Sequence, residues 1–474
     1  MAEKNNPLSE DRFELQELLK KFNNLKNGKI QLYLDEESFE KIISHYQDND
    51  DLKNASEAAE LAIEQFPWSA DMLIKKADIL LSLRKYNEAL AILDKAAVLD
   101  SNDMDLYICK MDAYLALDKE DESIGVLQEA LKIFDGDDRI ELLFELADIY
   151  DFYEHFDKVF DCLKMILEQE PNNEEGLYKI CFWTDFTGRN EEGIKLHLNI
   201  LENFPYNHLA WFNLGAAYQG LKLYEKAIDA YQYAIVIDEK FDYAYRNIGD
   251  AYIRLKKYRE AIESLSKVVE LAKPEDVIFE ALGYCFDRLK NYGHARLYYR
   301  KALHLNAENS MLFYKIACTY FNDENYSGCI KQLEHALKIN VKNPDFNLLM
   351  GECYLRMEKF AEAVDYFKTA VTIRPRNASS WEALIRCMYY AGLFEDGLDH
   401  VNAAMQNTSK PVFLFYKSSV LFGLGKVKEA LVQLENAMER APRLLKKFVD
   451  LNPSILQNQQ VVDLIAKYKR KKSI

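Results

Sequence analysis

The sequence repeats with a period of 34 residues over most of its length. The clearest marker is a small residue that recurs once per unit, at Ala55, Ala89, Ser123, Val159, Gly193, Ala227, Ala261, Ala295, Cys329, Ala363, Gly397 and Ala430. The spacing departs from 34 only by a two-residue insertion near residues 135–138 and a one-residue deletion near Lys410. A unit this short cannot bury an apolar face alone, so neighbouring units must stack. Twelve such units cover residues 36–442.

Each unit holds two segments whose apolar residues recur at spacings of three and four, which indicates amphipathic α-helices. The best-preserved unit reads AWFNLGAAY at 210–218 and LYEKAIDAYQYA at 223–234. This pattern closely resembles the tetratricopeptide repeat family, and the resemblance extends over all twelve units. It implies an all-α fold, a right-handed α-α superhelix built from helical hairpins.

Small residues and prolines mark the expected geometry of each hairpin. We expect glycines at the crossing of the two helices, where a larger side chain would overpack the contact: Gly215, Gly249, Gly283 and Gly351. Prolines at the ends of units should stop the second helix, because proline cannot continue the helical hydrogen bonds: Pro67, Pro171, Pro205, Pro375 and Pro442.

The segments outside the array are predicted to cover its two ends. Residues 1–35 contain an apolar helical pattern over 8–26, and residues 443–474 contain two more such segments. We interpret these as capping helices. The basic run from Lys469 to Lys472 is interpreted either as a nuclear-localisation or anionic-surface signal, or as basic residues that suit a helix C-terminus.

Charge is distributed very unevenly. The net charge is −17, yet residues 36–173 alone hold 34 Asp and Glu against 13 Lys and Arg. Such a region repels nucleic acid, whose binding depends on Lys and Arg. No signal-peptide pattern or long apolar run is present, and the eight cysteines stand singly, as reduced thiols do. We therefore expect a cytoplasmic protein with no nucleic-acid or membrane partner.

No catalytic motif is found. The eight histidines fall in different units, none forms HExxH, and no phosphate-binding glycine loop or nucleophile elbow is present. We predict no catalytic residue, no metal site and no cofactor, so the chain is not expected to be an enzyme. His197 stands where most units carry Leu, Phe or Tyr, and is either a buried, hydrogen-bonded histidine or a ligand.

The family resemblance implies that the first helices line a concave binding groove. In the early units they carry an acidic set: Asp71, Asp78, Asp105, Asp112, Asp148 and Asp151. In the middle the set is aromatic: Tyr178, Phe182, Phe186 and Phe212. These rings either line the groove, where a partner must cover them, or pack between units.

Two polar features resemble known binding modes of the family in part. Asn213 and Asn247 stand at the same place in consecutive units and resemble the asparagine ladder that holds peptide backbone in O-linked N-acetylglucosamine transferases. The ladder ends there, because Lys179 precedes it and Ala281 follows. The carboxylate clamp of chaperone-binding members is not intact, and Arg246 beside the two asparagines is its nearest approach.

Together these features predict a protein-interaction scaffold, adaptor or chaperone that binds a protein or peptide with basic and aromatic segments. The alternative is a docking or regulatory subunit of an enzyme complex, with catalysis supplied by another protein. The oligomeric state and the identity of the partner stay open.

Overall fold

The computed structural model describes residues 7–27, 33–273 and 275–471, with side chains described for 14–27, 33–273 and 275–468. These residues form α-helices and two short 3-10 turns, without a strand. The helices group into two compact units, unit 1 up to Ile237 and unit 2 from Asp238, and each is described by itself. The end of the basic run, at Lys472, lies outside the described residues.

Unit 1 begins with one helix, which six helical hairpins follow. They are α1 (Pro7–Lys26); α2 (Glu36–Asp48) with α3 (Leu52–Gln65); α4 (Ala70–Ser82) with α5 (Tyr86–Leu99); α6 (Met104–Ala116) with α7 (Glu120–Ala130); α8 (Gly136–Phe152) with α9 (Phe156–Gln169); α10 (Glu174–Phe186) with α11 (Asn190–Asn203); and α12 (His208–Gly220) with α13 (Tyr224–Ile237).

Unit 2 holds six further hairpins and a C-terminal group of short helices. They are α14 (Asp242–Arg254) with α15 (Tyr258–Leu271); α16 (Asp276–Arg288) with α17 (Tyr292–Leu305); α18 (Ser310–Asn322) with α19 (Tyr326–Ile339); α20 (Pro344–Arg356) with α21 (Phe360–Ile373); α22 (Ala378–Tyr390) with α23 (Phe394–Thr408); α24 (Val412–Gly423) with α25 (Val427–Arg440); then the 3-10 turn η1 (Pro442–Leu444), α26 (Leu445–Leu451), the 3-10 turn η2 (Pro453–Gln457) and α27 (Gln459–Lys471). The predicted all-α array of helical hairpins is confirmed.

Local sequence signals set the helix boundaries. Most first helices begin after an Asp, Ser or Asn whose side chain accepts a hydrogen bond from the first turn, as Ser69 does from the Met72 N–H. The five prolines each stand two residues after the last residue of a second helix, as Pro205 does after Asn203. Each hairpin turn contains one residue with positive φ: Asp50, Arg84, Asp118, Glu154, Gly188, Lys222, Lys256, Lys290, Glu324, Glu358, Gly392 and Gly425.

The close approach of the two helices within a hairpin depends on glycine, as the sequence predicts. A Cβ added to Gly283 of α16 would lie 2.5 Å from the Tyr299 ring of α17. The same clash arises at Gly215 with Tyr231, at 2.6 Å, and at Gly351 with Phe367, at 2.6 Å. A large side chain of the second helix therefore fills the space that the glycine leaves.

The array is covered at both ends by apolar contacts. At the start, Leu18 and Phe22 of α1 are buried in one cluster with Phe39 and Ile42 of α2. At the end, Phe448 of α26 and Val461 and Ile465 of α27 are buried in a cluster with Phe415 of α24 and Leu434 of α25. These helices cover the apolar faces that a terminal repeat would otherwise leave in water.

We predict that Gly283→Ala lowers the free energy of unfolding by about 1–3 kcal/mol, because the added methyl group overpacks the contact with Tyr299. Urea unfolding followed by circular dichroism measures the change. The matched control is Gly293→Ala in α17, where an added Cβ meets no atom within 4 Å. Equal stabilities of the two variants would contradict this account of the crossing.

Candidate functional site

The predicted acidic residues of unit 1 lie on neighbouring first helices. Asp71 and Asp78 belong to α4, Asp105 and Asp112 to α6, and Asp148 to α8, and all five are exposed. With Glu145 of α8, these residues are called the acidic strip below. Asp151 lies in the last turn of α8 and is exposed as well.

Electrostatic effects show that members of the strip on different helices are close to one another. Although Asp112 reaches solvent, partial desolvation by the chain around its carboxyl group raises its pKa, and the Asp78 carboxylate of the preceding first helix raises it further. Burial also raises the pKa of Glu145, with Asp148 and Asp112 adding to the rise. Like charges disfavour each other's ionised form, so the strip is an array of mutually repelling carboxylates.

The strip is poorly neutralised by the chain itself. Among the described residues, no lysine, arginine or histidine forms an ion pair with the strip carboxylates of α4 and α6 or with Glu145. Asp78 accepts a hydrogen bond from the neutral Gln47 side chain at 2.7 Å. One member of the strip does have a cationic partner, since Asp148 pairs with Lys179 of α10 at 3.6 Å. Beside the strip, Lys75 pairs with Glu40 at 3.9 Å.

The first helices of unit 2 have a different charge pattern. Lys315 of α18 pairs with Glu280 of α16, and Arg386 of α22 pairs with Glu352 of α20. Lys447 of α26 pairs with Glu382 of α22 at 2.8 Å. Several acids on these helices are therefore neutralised by a neighbouring helix of the same unit.

Three of the predicted aromatic residues lie side by side on α10, and together they form the aromatic patch. Tyr178, Phe182 and Phe186 are spaced by four and are 59%, 60% and 56% exposed. The Phe182 and Phe186 rings stack with centroids 5.5 Å apart. These three rings are thus exposed at the surface of unit 1, and Phe186 also contacts Phe156 of the preceding hairpin. Lys179, next to Tyr178, contacts the end of the acidic strip.

Phe212 and Asn213, the predicted binding residues of the next hairpin, are packed against other residues of unit 1. Phe212 is half-buried, with its ring 5.4 Å from that of Tyr231 in the same hairpin. Asn213 is buried, and its Nδ2 donates a hydrogen bond to the Leu177 carbonyl of α10 at 2.7 Å. Its amide therefore joins two repeats rather than facing a peptide, so the expected asparagine ladder is corrected at this position.

Arg246 and Asn247 belong to α14 of unit 2. Both are half-buried, and Arg246 pairs with Glu275 at 2.7 Å. The Arg246 guanidinium also lies 5.9 Å from the centre of the Tyr243 ring. This arginine already has an acidic partner within its own unit, which makes it a poor candidate for a carboxylate clamp.

The sequence reasoning missed two rings beside the aromatic patch. Trp183 of α10 contacts Phe186 edge to face at 5.5 Å, and Phe156 of α9 contacts it at 4.9 Å. Trp183 stands where the next two repeats carry Ala217 and Ala251, so a bulky residue at a small position was the available signal. Phe156 gave no such signal, because Tyr or Phe is regular at that position.

His197 is buried, as one of the two expectations had it, but it is not hydrogen-bonded. Neither ring nitrogen has a partner among the described residues. Burial lowers the pKa of His197 to about 3, so the ring is neutral at physiological pH. No group of three or more His, Cys, Asp or Glu in the described residues has the arrangement of a metal site.

Comparisons with known families identify the repeat. Tetratricopeptide repeat models match residues 187–240 and 344–377. The model of the tetratricopeptide repeat protein 21 C-terminal ARM domain matches residues 217–349, and that of anaphase-promoting complex (cyclosome) subunit 3 matches residues 48–130. The chain is a tetratricopeptide repeat protein. A comparison with curated proteins finds no match.

Several solved structures resemble this tetratricopeptide repeat chain at low identity. One is the C-terminal part of a repeat protein from Cytophaga hutchinsonii, with 14% identity, 54% of this chain and 99% of that chain covered, and a TM-score of 0.44. Another is YrrB, described as a TPR protein with an unusual peptide-binding site, with 18% identity, 39% and 95% covered, and a TM-score of 0.35. A third is the APC/C hetero-tetramer Cut9–Hcn1, with 13% identity, 84% and 97% covered, and a TM-score of 0.35.

None of the described helices combines the length and the apolar character that crossing a bilayer requires.

We predict that His197→Leu stabilises α11 and α12 by about 1–3 kcal/mol at pH 7, because a buried polar group without a partner is removed. The gain should grow at pH 5. The unfolded histidine, with a pKa of about 6.5, binds a proton there that the folded one, with its lowered pKa, does not, so the parent loses stability as pH falls.

Hydrogen exchange of the α11 and α12 amides at pH 5 and pH 7 measures both effects. His304→Leu, at an exposed histidine of α17, is the control and should leave these amides unchanged. An unchanged or faster exchange of α11 in His197→Leu at both pH values would contradict the prediction.

Proposed function

We propose that this tetratricopeptide repeat protein is a non-catalytic interaction scaffold whose unit 1 binds a basic segment of a partner protein, with apolar or aromatic residues beside the basic ones. The observation that carries the proposal is the acidic strip, which the chain leaves largely without cations, next to an exposed aromatic patch. A partner of the opposite charge would relieve the repulsion between the carboxylates, and its apolar side chains would cover the rings.

The two surfaces have different tasks in this proposal. Exposed ion pairs each contribute only about 0–1 kcal/mol, so the acidic strip mainly steers and selects a basic partner. Covering large apolar side chains contributes about 1.5–3 kcal/mol each, so the aromatic patch supplies most of the affinity. In this proposal the basic part of the segment binds α4, α6 and α8, and its apolar part binds α10, in the order of the two surfaces along unit 1.

Charge supports unit 1 rather than unit 2 as the surface for a basic partner. Residues 1–237 hold 48 Asp and Glu against 24 Lys and Arg, whereas residues 238–474 hold 29 against 36. In unit 2 the first helices also neutralise part of their own charge through Lys315–Glu280 and Arg386–Glu352.

Two further points fit the proposal. The family model that matches residues 48–130 is named for a subunit of a multi-protein complex, which is the setting of a scaffold. The eight cysteines are free and six of them are buried, which fits a reducing compartment such as the cytoplasm. The same surface would serve an adaptor or the docking subunit of an enzyme complex.

The test is a selection of phage-displayed random peptides on the full chain. We expect the selected peptides to carry a net positive charge and at least one aromatic residue, and to bind more weakly as salt is raised from 50 to 500 mM, because salt screens exposed charges. Asp78→Asn combined with Asp112→Asn should weaken their binding about three- to tenfold, as the loss of two exposed charge contacts would.

The matched control removes two charges from second helices of unit 1, Asp229→Asn with Glu202→Gln, and should leave binding unchanged. Selection of neutral or acidic peptides, or an equal effect of the two double variants, would exclude the acidic strip as the binding surface.

A further inference from the structure

A notch at the surface of unit 1 lies where the aromatic patch meets the turn between α8 and α9. It has a volume of about 420 Å³, and its walls include the rings of Phe156 and Phe186 and the residues Glu154 and Asp157. The two rings meet at 82° with centroids 4.9 Å apart, so they form two walls at right angles. The notch is large enough to take a long side chain of a partner.

The charges around the notch favour a cation. Glu154 and Asp157 are exposed, and neither carboxylate forms an ion pair with any described residue. The C-terminal end of α10, at Phe186, adds the negative end of a helix dipole. The N-terminal end of α9 opposes this with its positive end, and Asp157 in its first turn offsets that charge.

Three basic residues lie at the notch, and each has another partner. Arg189 Nη1 donates a hydrogen bond to the Asp157 backbone carbonyl at 3.1 Å, and the guanidinium pairs with Asp161 and Glu192. His155 and Lys158 are part of the lining of the notch. Lys158 Nζ lies 4.8 Å from the centre of the Tyr150 ring. His155 Nε2 lies 2.5 Å from a carboxylate oxygen of Glu120. None of the three forms an ion pair with the Glu154 or Asp157 carboxylate.

Two other phenylalanine rings of unit 1 have a cation of the chain over one face. Lys179 lies over the Phe144 ring at 4.9 Å, and the Arg189 guanidinium lies over the Phe160 ring at 4.2 Å. In the part of the chain that the structure describes, no lysine or arginine lies over Phe156 or Phe186. These two rings thus lack the cation that their neighbours have.

We propose that the notch takes one cationic side chain of the partner segment, an arginine or a lysine. Its apolar stem packs against Phe156 and Phe186, and its charged head lies over the rings and beside Glu154 and Asp157. The proposal rests on the proposed function in that the partner is basic, and it names the position that fixes the register of the segment.

The test uses a synthetic basic heptapeptide with two flanking phenylalanines, made with arginine, citrulline, lysine or norleucine at its centre. Citrulline has the shape of arginine without its charge, and norleucine has the aliphatic stem of lysine without the charged amino group. On the full chain we expect each cationic peptide to bind about fivefold or more tightly than its neutral counterpart, in the range of a partly desolvated cation–π contact.

Two variants of the notch should remove that preference. Phe186→Leu keeps an apolar wall but loses the ring, and Asp157→Asn keeps the shape but loses the charge. Phe152→Leu is the control, since Phe152 is an aromatic residue of α8 that is 66% exposed and is not part of the notch wall. It should retain the preference of the parent.

The outcomes separate this proposal from the function above. A preference for the cation that is the same in the parent, Phe186→Leu and Asp157→Asn would overturn the notch while leaving binding to the acidic strip intact. Failure of all four peptides to bind the parent would overturn both. Loss of the preference in the notch variants with overall binding still weakened by Asp78→Asn would support both.

Discussion

The close crossing of the two helices within each hairpin is the contact on which the rest of the structure depends. Where Gly215, Gly283 and Gly351 meet an aromatic ring of the second helix, no side chain larger than hydrogen fits between backbone and ring. In these hairpins the crossing is fixed, and consecutive hairpins stack in register within a unit. Because of that register, residues 34 positions apart in sequence, such as Asp78 and Asp112, come close enough to affect each other's ionisation.

Because the hairpins repeat in register, charges on successive first helices either repel or pair with one another. A charge at a given position of the first helix faces the same position of the next helix, so like charges in successive repeats repel. Unit 2 places Lys315 after Glu280 and Arg386 after Glu352, which turns the repetition into a series of ion pairs. Unit 1 places acids in succession on α4, α6 and α8. The proposed function gives this succession of like charges a reason, because a basic partner would relieve their repulsion.

Much of the fold was predictable from the sequence, because the period, the prolines and the small residues all report local geometry. The site was predictable only in part. Phe182 and Phe186 are exposed, whereas Asn213 is buried. Which of these holds depends on the direction of the side chain around the helix, and the periodicity of the sequence does not give that direction accurately enough. The notch was not predictable, since it joins Phe156, a residue that is regular in its repeat, to Phe186 of the next hairpin.

His197 shows a further limit. The sequence marked it as unusual for a position that carries Leu163 and Tyr231 in the adjacent repeats. Burial followed from the repeat pattern, but the lack of a hydrogen-bond partner among the described residues did not, because it depends on the side chains around this one ring. A polar residue at a core position that is apolar in the neighbouring repeats can therefore be buried without a hydrogen-bond partner.

The central claim is that the acidic strip is held in a repelling state that a basic partner relieves. Calorimetric titration with the basic heptapeptide at about pH 5, in two buffers of different ionisation enthalpy, counts the protons exchanged on binding. Desolvation, with repulsion from neighbouring carboxylates adding to it, raises the pKa of Asp112 and of Glu145 in the free protein. A cation on the strip should lower both pKa values again and release protons. The account predicts that the parent releases protons on binding at pH 5. The number released should be smaller at pH 7, and smaller at pH 5 in the double variant Asp112→Asn with Glu145→Gln. Binding without proton release at pH 5, or with the same release in that variant, would contradict it.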